Sequence, residues 1–393
     1  MSNRTVFAAL ACALLAQLAY AAPYIPAKGT DVLERLPRRN DPAQLELQRL
    51  RQQLAANPND VNLATSVARH HISTARRETD PRYFGYAQAA LAPWWSQPTP
   101  PSQVRLLRAT LLQSTHHFPE AMRDLDAIVA AEPQNSQAWL TRATVQTVRG
   151  DYPGATSSCA RLSSITTQLI SMTCIASVGA MTGRSAASEK LLETTLGRNT
   201  DADPELQVWV LTLLAEIAER RGEVAVAEAR YKKALALSPR DSYLLGAYAD
   251  FLLDQKRPAE VIALVKDQTR IDGLLLRHAL ALKQTPSAAA ALRNADAELA
   301  ARFSAAMQRG DTVHQREQAR YELHVRGDAK TALALAQKNW AVQKESADMR
   351  VLLEAALAAG DKAAAAPALE WAAKHSVEDV AVARLARQLK GGA

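Results

Sequence analysis

The sequence lacks the short motifs that mark many enzymes. Its 393 residues contain no glycine-rich phosphate loop, no zinc-spaced pair of cysteines and no Gly-x-Ser-x-Gly nucleophile elbow. These absences exclude the best-known nucleotide-binding, zinc and serine-hydrolase sites. We therefore predict no catalytic residue, no resident metal and no cofactor, and we expect a protein that is not an enzyme.

A strong charge of one sign is also missing. Lysine and arginine number 47 and aspartate and glutamate number 40, which gives a net charge of +7. A nucleic-acid site needs a clustered basic stripe, and an excess this small is spread too thinly to form one. Beyond the N-terminus, no apolar run is long enough to span a bilayer. We predict neither a nucleic-acid partner nor an integral membrane span.

The N-terminus has the features of a secretory signal. Arg4 precedes an apolar run over residues 6–18, and residues 19–21 have the small-x-small pattern of a cleavage site. We predict cleavage after Ala21 and a periplasmic or secreted mature protein. One alternative is a lipoprotein signal in which Cys12 is lipidated. Another is an uncleaved membrane helix, for which the apolar run is short.

Small residues recur at a period of 34 residues. Ala87, Ala121 and Ala155 are each one period apart. In addition, four glycines each lie five residues before an alanine: Gly150, Gly222, Gly327 and Gly360. Such a period is typical of arrays of helix pairs that bury their apolar faces only by stacking on their neighbours. The predicted fold class is all-α.

The clearest repeat lies between Trp209 and Pro239. A first helix from about 208 to 221 carries an apolar stripe at three- and four-residue spacing, and Gly222 ends it. The second helix has small and aromatic residues on one face before a closing proline: Ala227, Tyr231, Ala234 and Pro239. The small alanines allow two antiparallel helices to approach closely, and the aromatic ring fills the space between them.

These segments resemble tetratricopeptide repeats. The second-helix pattern of that family, which is Ala, an aromatic, Ala and Pro, is matched by the four residues just named. Trp139 matches the start of its own repeat, whereas Val261 and Val265 depart from the pattern. About three quarters of the chain fits the period. The resemblance implies a right-handed α-solenoid of antiparallel helix pairs, with a concave groove that binds peptides or proteins.

The chain is accordingly divided into four segments. We expect a signal peptide over residues 1–21, a flexible segment over 22–41, a repeat array over 42–377, and a capping helix with a short tail over 378–393. The pattern loosens at about 262–312, which we interpret as an atypical repeat rather than a linker. An array is not limited by a spherical core, so its length is compatible with one elongated domain.

The mature chain keeps two cysteines, Cys159 and Cys174. They lie at about equal distances from an expected turn near Thr166 or Thr167, so in an antiparallel hairpin they face each other. An oxidising compartment would then join them as a disulfide. The alternative is two free, buried thiols that behave as small apolar residues.

The groove implied by the resemblance has a distinctive lining. Its positions in two successive first helices are Trp209, Glu216, Glu219, Tyr243, Asp250 and Asp254. Two aromatics and four carboxylates form an acidic, partly apolar surface that suits a basic peptide. The alternative is that these carboxylates are ordinary solvated helix residues.

A second group of polar residues has helical spacing. His314, Glu317, Tyr321 and His324 are separated by three, four and three residues, which places them on one helix face. A metal or small ligand is one interpretation. The other is a polar stripe that faces solvent or the groove.

The leading hypothesis is an exported, non-catalytic scaffold that mediates protein–protein interactions. We expect an adaptor or assembly factor of an envelope or secretion complex, with a protein or peptide partner of basic character. The alternatives are a solenoid that binds a small ligand or metal, and an accessory subunit of an envelope enzyme that acts on glycan.

Overall fold

The computed structural model of the chain describes residues 42–310 and 313–391. The predicted signal peptide and flexible segment lie outside these residues. Contacts divide the chain into two units, residues 1–49 and 50–393. The described part of the first unit is the start of helix α1 (Pro42–Ala56), in which Arg49 forms an ion pair with Glu46. All remaining statements concern the second unit.

All regular structure in the described ranges is helical. The first part contains α2 (Val61–Glu78), α3 (Arg82–Ala90), α4 (Ala92–Trp95), α5 (Ser102–Ser114), α6 (Phe118–Ala131), α7 (Ser136–Arg149), α8 (Tyr152–Leu162), α9 (Gln168–Ala180) and α10 (Ser185–Arg198). Then follow α11 (Pro204–Arg220), α12 (Val224–Leu237), α13 (Ser242–Asp254), α14 (Pro258–Val265), α15 (Asp272–Lys283) and α16 (Ala289–Gln308). The last helices are α17 (Gln315–Tyr321), α18 (Ala329–Val342), α19 (Ser346–Ala358), α20 (Ala366–Lys374) and α21 (Val380–Leu389).

Consecutive helices pack as pairs. The contacting pairs are α2 with α3, α5 with α6, α7 with α8, α9 with α10, α11 with α12, α13 with α14, α15 with α16, α17 with α18, and α19 with α20. The turns within most of these pairs are only a few residues long, which makes the two helices antiparallel. The predicted all-α array of antiparallel helix pairs is confirmed.

The periodic alanines lie on the buried faces of their helices. Ala87, Ala121 and Ala155 have no exposed surface, and the same holds for Ala227 in the clearest repeat. A side chain as small as alanine is covered completely only where other parts of the chain pack closely on it, so the period follows the buried faces of the helices.

Helix α11 begins four residues earlier than the predicted position 208. The Asp203 side chain accepts a hydrogen bond from the Glu205 backbone N–H at 2.8 Å, and Pro204 occupies the first turn. The end of the helix agrees with the sequence, because Gly222 takes the left-handed conformation with φ of +80°.

The region after α14 departs from the regular pattern. A 3₁₀ turn (Pro286–Ala288) leads into α16, which is 20 residues long. After α17, residues 322–326 form a π-helical turn. At the end of the chain, α21 packs against α19 through Val382, Leu385 and Leu389 and exposes its charged residues.

Cys159 on α8 and Cys174 on α9 form a disulfide, with their Cα atoms 5.5 Å apart. Both residues are buried. The turn between the two helices ends at Thr167, whose side chain accepts a hydrogen bond from the Ile170 backbone N–H and begins α9. The predicted pairing is therefore present.

Candidate functional site

The six residues predicted to line the groove lie on two neighbouring first helices. Helix α11 carries Trp209, Glu216 and Glu219, and helix α13 carries Tyr243, Asp250 and Asp254. The two helices are in contact, and the Tyr243 hydroxyl donates a hydrogen bond of 2.7 Å to the Glu216 carboxylate. Trp209 lies two helical turns before Glu216 and therefore on the same face. The structure thus brings these side chains together on one surface, which we call the inner surface.

Both aromatic residues of the inner surface are accessible. Trp209 is 39% exposed and Tyr243 is 66% exposed. Large aromatic side chains of this kind are common anchors in protein interfaces, since they bring a large contact area at low entropic cost. The hydrogen bond to Glu216 fixes the position of Tyr243, so one of the two anchors is held in place.

Glu216 and Glu219 are held by tyrosines. The Tyr231 hydroxyl donates a 2.7 Å hydrogen bond to Glu219, as Tyr243 does to Glu216. Burial raises the pKa of both carboxyls, and for Glu219 it reaches about 8 because the neighbouring carboxylates, including Asp254, add to the effect. At neutral pH, Glu219 is therefore largely protonated, and a cation placed beside it would favour its ionised form.

Asp250 and Asp254 have partners within the same chain. Asp250 binds Arg277 at 2.5 Å and Arg320 at 2.8 Å, and Asp254 binds Arg350 at 2.5 Å. Burial alone would raise the pKa of Asp250, but the two arginines lower it well below the usual range. The negative charge of these two carboxylates is therefore compensated by helices α15, α17 and α19.

The repeat pattern did not indicate these three arginines. They lie on the first helices of later pairs. The assignment of groove-lining positions that placed Trp209 in the groove applies to those helices as well. The repeat spacing is irregular between α14 and α18, so the sequence does not indicate which residues of these later helices face inward. As a consequence, the surface predicted to be acidic and partly apolar contains two tyrosine-bonded glutamates beside two aspartate–arginine clusters.

The second group of predicted polar residues does not share one partner. Glu317 is beside Arg316, Tyr321 is buried and donates to Asp296 at 2.6 Å, and the His324 imidazole is 2.9 Å from Glu354. His314 lies just before the first turn of α17, and residues 322–326 form a π-helical turn that changes the angular spacing of His324. Burial would raise the pKa of Glu317, but Arg316 lowers it to about 2. Within the described ranges, no three His, Cys, Asp or Glu residues are grouped to hold a metal ion.

None of the described helices combines the length and the apolar character that a membrane span requires.

The sequence matches no family model and no curated protein. Among solved structures, the chain is similar to the Cut9–Hcn1 hetero-tetramer of the APC/C, with 12% identity over 80% of this chain and 52% of that one, and a TM-score of 0.43. It spans about half of that protein. It is also similar to a tetratricopeptide repeat protein from Parabacteroides merdae ATCC 43184, with 13% identity over 73% of this chain and 98% of that one, and a TM-score of 0.39.

A further similar structure is the human IFIT1 dimer with m7Gppp-AAAA, with 14% identity over 85% of this chain and 86% of that one, and a TM-score of 0.40. Tetratricopeptide repeat proteins are thus among the solved structures that this chain resembles, as the repeat pattern predicted. Likenesses of this strength give no information about function.

Proposed function

We propose that this chain is an exported scaffold that binds a protein partner along the inner surface and acts as an adaptor or assembly factor of an envelope or secretion complex. It has no catalytic activity of its own in this proposal. The observation that carries the proposal is the pair of exposed aromatics, Trp209 and Tyr243, on a surface where two glutamates also lie. Exposed aromatics beside polar groups are typical of binding surfaces rather than of solvated helix faces.

The glutamates support a partner segment that carries lysine or arginine. The raised pKa of Glu219 means that burial, together with the carboxylates of Asp254 and Glu216, disfavours its ionised form. A basic side chain brought in by the partner would remove that penalty and pair with the ionised carboxylate. Asp250 and Asp254 contribute less to this recognition, because arginines of the same chain already bind them.

The test places a photo-crosslinking amino acid at Trp209 or Tyr243 in cells, with Val226 as the matched control. Val226 is also exposed, at 40%, but lies on the second helix of the pair. We expect both inner positions to crosslink to the same basic segment of one envelope protein, identified by mass spectrometry, and the control to give no such adduct. Equal crosslinking from all three positions would contradict the inner surface as the binding site.

Charge is tested with matched pairs of variants. Glu216→Gln with Glu219→Gln should reduce the crosslink from Tyr243, because the partner's basic side chain loses its counter-charge. Glu298→Gln with Glu370→Gln removes the same charge from exposed positions on the second helices of two other pairs and should leave the crosslink unchanged. A crosslink that survives the first pair would remove the basic character from the proposal.

Export is tested separately. The mature protein should be recovered from the envelope or the medium with Ala22 as its first residue. A full-length protein that stays in the cytoplasm would contradict the exported part of the proposal without affecting the inner surface.

A further inference from the structure

Helix α2 carries two arginines on a polar stripe that lies away from its buried face. Asn62, Arg69 and Arg76 are spaced seven residues apart, which places them within about 40° of one another around the helix axis. All three are exposed, whereas Ala68 and Ile72 of the same helix are buried. These three residues, which we call the α2 stripe, therefore form a surface and are not part of the core.

The α2 stripe begins beside the first helix of the next pair. The Gln103 side-chain amide, at the start of α5, donates a hydrogen bond of 3.1 Å to the Asn62 side chain. Helices α2 and α5 also pack against each other. Successive first helices line the concave face of a helical array, so this bond places the stripe at the edge of that face.

The other end of the α2 stripe lies close to the inner surface. Two side-chain contacts join the end of α2 to the segments where α13 and α15 begin: Thr79 with Ser242, at 2.5 Å, and Glu78 with Arg270. Thr79 and Ser242 are 163 residues apart in the chain, and Ser242 directly precedes Tyr243. Arg76 is one helical turn before Thr79. The array thus returns to its first helix at the start of α13, which brings Arg76 near Tyr243.

Arg76 and Tyr243 share an unusual combination of environments. Solvent reaches both side chains, since Arg76 is exposed and Tyr243 is 66% exposed. Nevertheless, burial lowers the pKa of Arg76, and the charge of Glu216 together with burial raises the pKa of Tyr243. A side chain that is wetted and yet surrounded by protein faces an enclosed, solvent-filled space. Both residues therefore line the interior that the array encloses.

The two arginines of the α2 stripe have no acidic partner. Among the residues that the structure describes, neither Arg69 nor Arg76 forms an ion pair. By contrast, the three arginines of α15, α17 and α19 that face the inner surface each bind one of its aspartates. The positive charge of the stripe is therefore available to an anion, and an enclosed site screens that charge less than open water does.

We propose that Arg69 and Arg76 form a basic wall of the binding site, and that the partner segment carries an acidic residue close to its basic one. The basic residue pairs with Glu216 and Glu219, and the acidic residue pairs with the arginines, with Tyr243 between the two walls. This inference rests on the proposed function and extends it from one charge to a pair of opposite charges. A uniformly basic segment would instead place a cation beside Arg76, which is unfavourable.

The geometry is tested in the purified protein without a partner. Cysteines replace Arg76 and Tyr243, and a short bis-maleimide is added; the native cysteines do not react, because they form the buried disulfide. The matched control is Arg77→Cys with Tyr243→Cys, since Arg77 is also exposed but points about 100° away from Arg76. We expect a roughly tenfold higher yield of the bridged peptides for position 76 than for position 77, measured by mass spectrometry.

The charges are tested in cells through the photo-crosslink from position 243. Arg69→Gln with Arg76→Gln should reduce its yield roughly fivefold, because the acidic residue of the partner loses its counter-charges. The matched control is Arg77→Gln with Arg198→Gln. It removes the same charge from two exposed positions outside the α2 stripe, of which Arg198 is at the end of α10, and should leave the yield unchanged.

The crosslinked segment should contain Asp or Glu near Lys or Arg. Arg76→Glu should abolish the crosslink, and a lysine in place of the partner's acidic residue should restore it.

The outcomes separate this inference from the proposed function. Equal bridging from positions 76 and 77, an unchanged crosslink in Arg69→Gln with Arg76→Gln, or a crosslinked segment without an acidic residue would overturn the basic wall alone. A parent protein that gives no crosslink from position 243 or from Trp209 would overturn both.

Discussion

At the scale of single residues, the inner surface shows how one residue type acquires two different chemical states. Glu219 accepts a hydrogen bond from a buried tyrosine and has a raised pKa, whereas Glu354 has Arg350 and His324 beside it, and its pKa is lowered to about 2. Burial acts on both in the same direction, so the difference comes from the neighbouring charges. The state of each carboxyl is therefore set by residues distant in the sequence.

The first prediction concerns Glu219→Gln. The pKa of Glu219 is about 8 in the folded protein and 4.5 in its ordinary state, so the folded form binds an extra proton between these values. The contribution of Glu219 to the free energy of unfolding therefore decreases as the pH rises from 4.5 to about 8. Glutamine keeps an acceptor for Tyr231 without the ionisation. The variant should gain stability on the order of 1 kcal/mol relative to the parent at alkaline pH, and nothing at acid pH.

Urea unfolding of parent and variant across the pH range measures this difference. The control is Glu370→Gln, since Glu370 is exposed and lies on another helix. A stability difference that does not change with pH would show that Glu219 ionises normally.

At the scale of elements, the disulfide joins helices of two successive pairs, α8 and α9. Cys159 and Cys174 are buried in an apolar cluster that also contains Tyr152, Leu162 and Val178. The covalent link between the two cysteines adds to this packing by restricting the unfolded chain.

The second prediction follows from the 15-residue separation of the two cysteines. Replacing both with alanine should lower the free energy of unfolding by about 3 kcal/mol, because closing a loop of this length restricts the unfolded chain by that amount. Calorimetry or urea unfolding measures the loss. The parent protein with a reductant present should show a similar loss, and the double variant should be insensitive to the reductant. A loss of less than about 1 kcal/mol would show that α8 and α9 are already held by their neighbours.

At the scale of the whole second unit, the array is joined by contacts between distant pairs as well as between neighbours. Asp254 and Arg350 are separated by 96 residues and Asp250 and Arg320 by 70. In a simple repeat array, stability is a sum over adjacent repeats. These longer contacts couple α13 directly to α17 and α19, so a change in one affects the other.

The third prediction is a double-mutant cycle on Asp254→Ala and Arg350→Ala. We expect a coupling free energy of about 0.2–1 kcal/mol, the range of exposed ion pairs. The control cycle combines Asp254→Ala with Arg384→Ala, an exposed arginine on α21, and should give no coupling. Equal coupling in the two cycles would mean that α13 and α19 do not meet through this pair.

The sequence by itself determined the helix pairs of this protein. Ala121 and Ala155 are buried where the period predicts, Gly222 ends α11 in the left-handed conformation, and Cys159 and Cys174 are joined across the predicted turn. Each of these features depends on residues within one repeat or its neighbour, where helical periodicity and turn chemistry decide the outcome. The positions of Trp209 and Glu216 on one face follow from the same local rule.

Only the tertiary structure decided which charges meet. The pairing of Asp250 with Arg277 and Arg320, and the seating of Trp371 on Gly150, join residues that no local pattern relates. Small rotations between successive pairs add up along an array, and the 3₁₀ turn, the long helix α16 and the π-helical turn change that sum. The relative placement of distant helices is therefore set by packing accumulated over many repeats, which a repeat pattern does not encode.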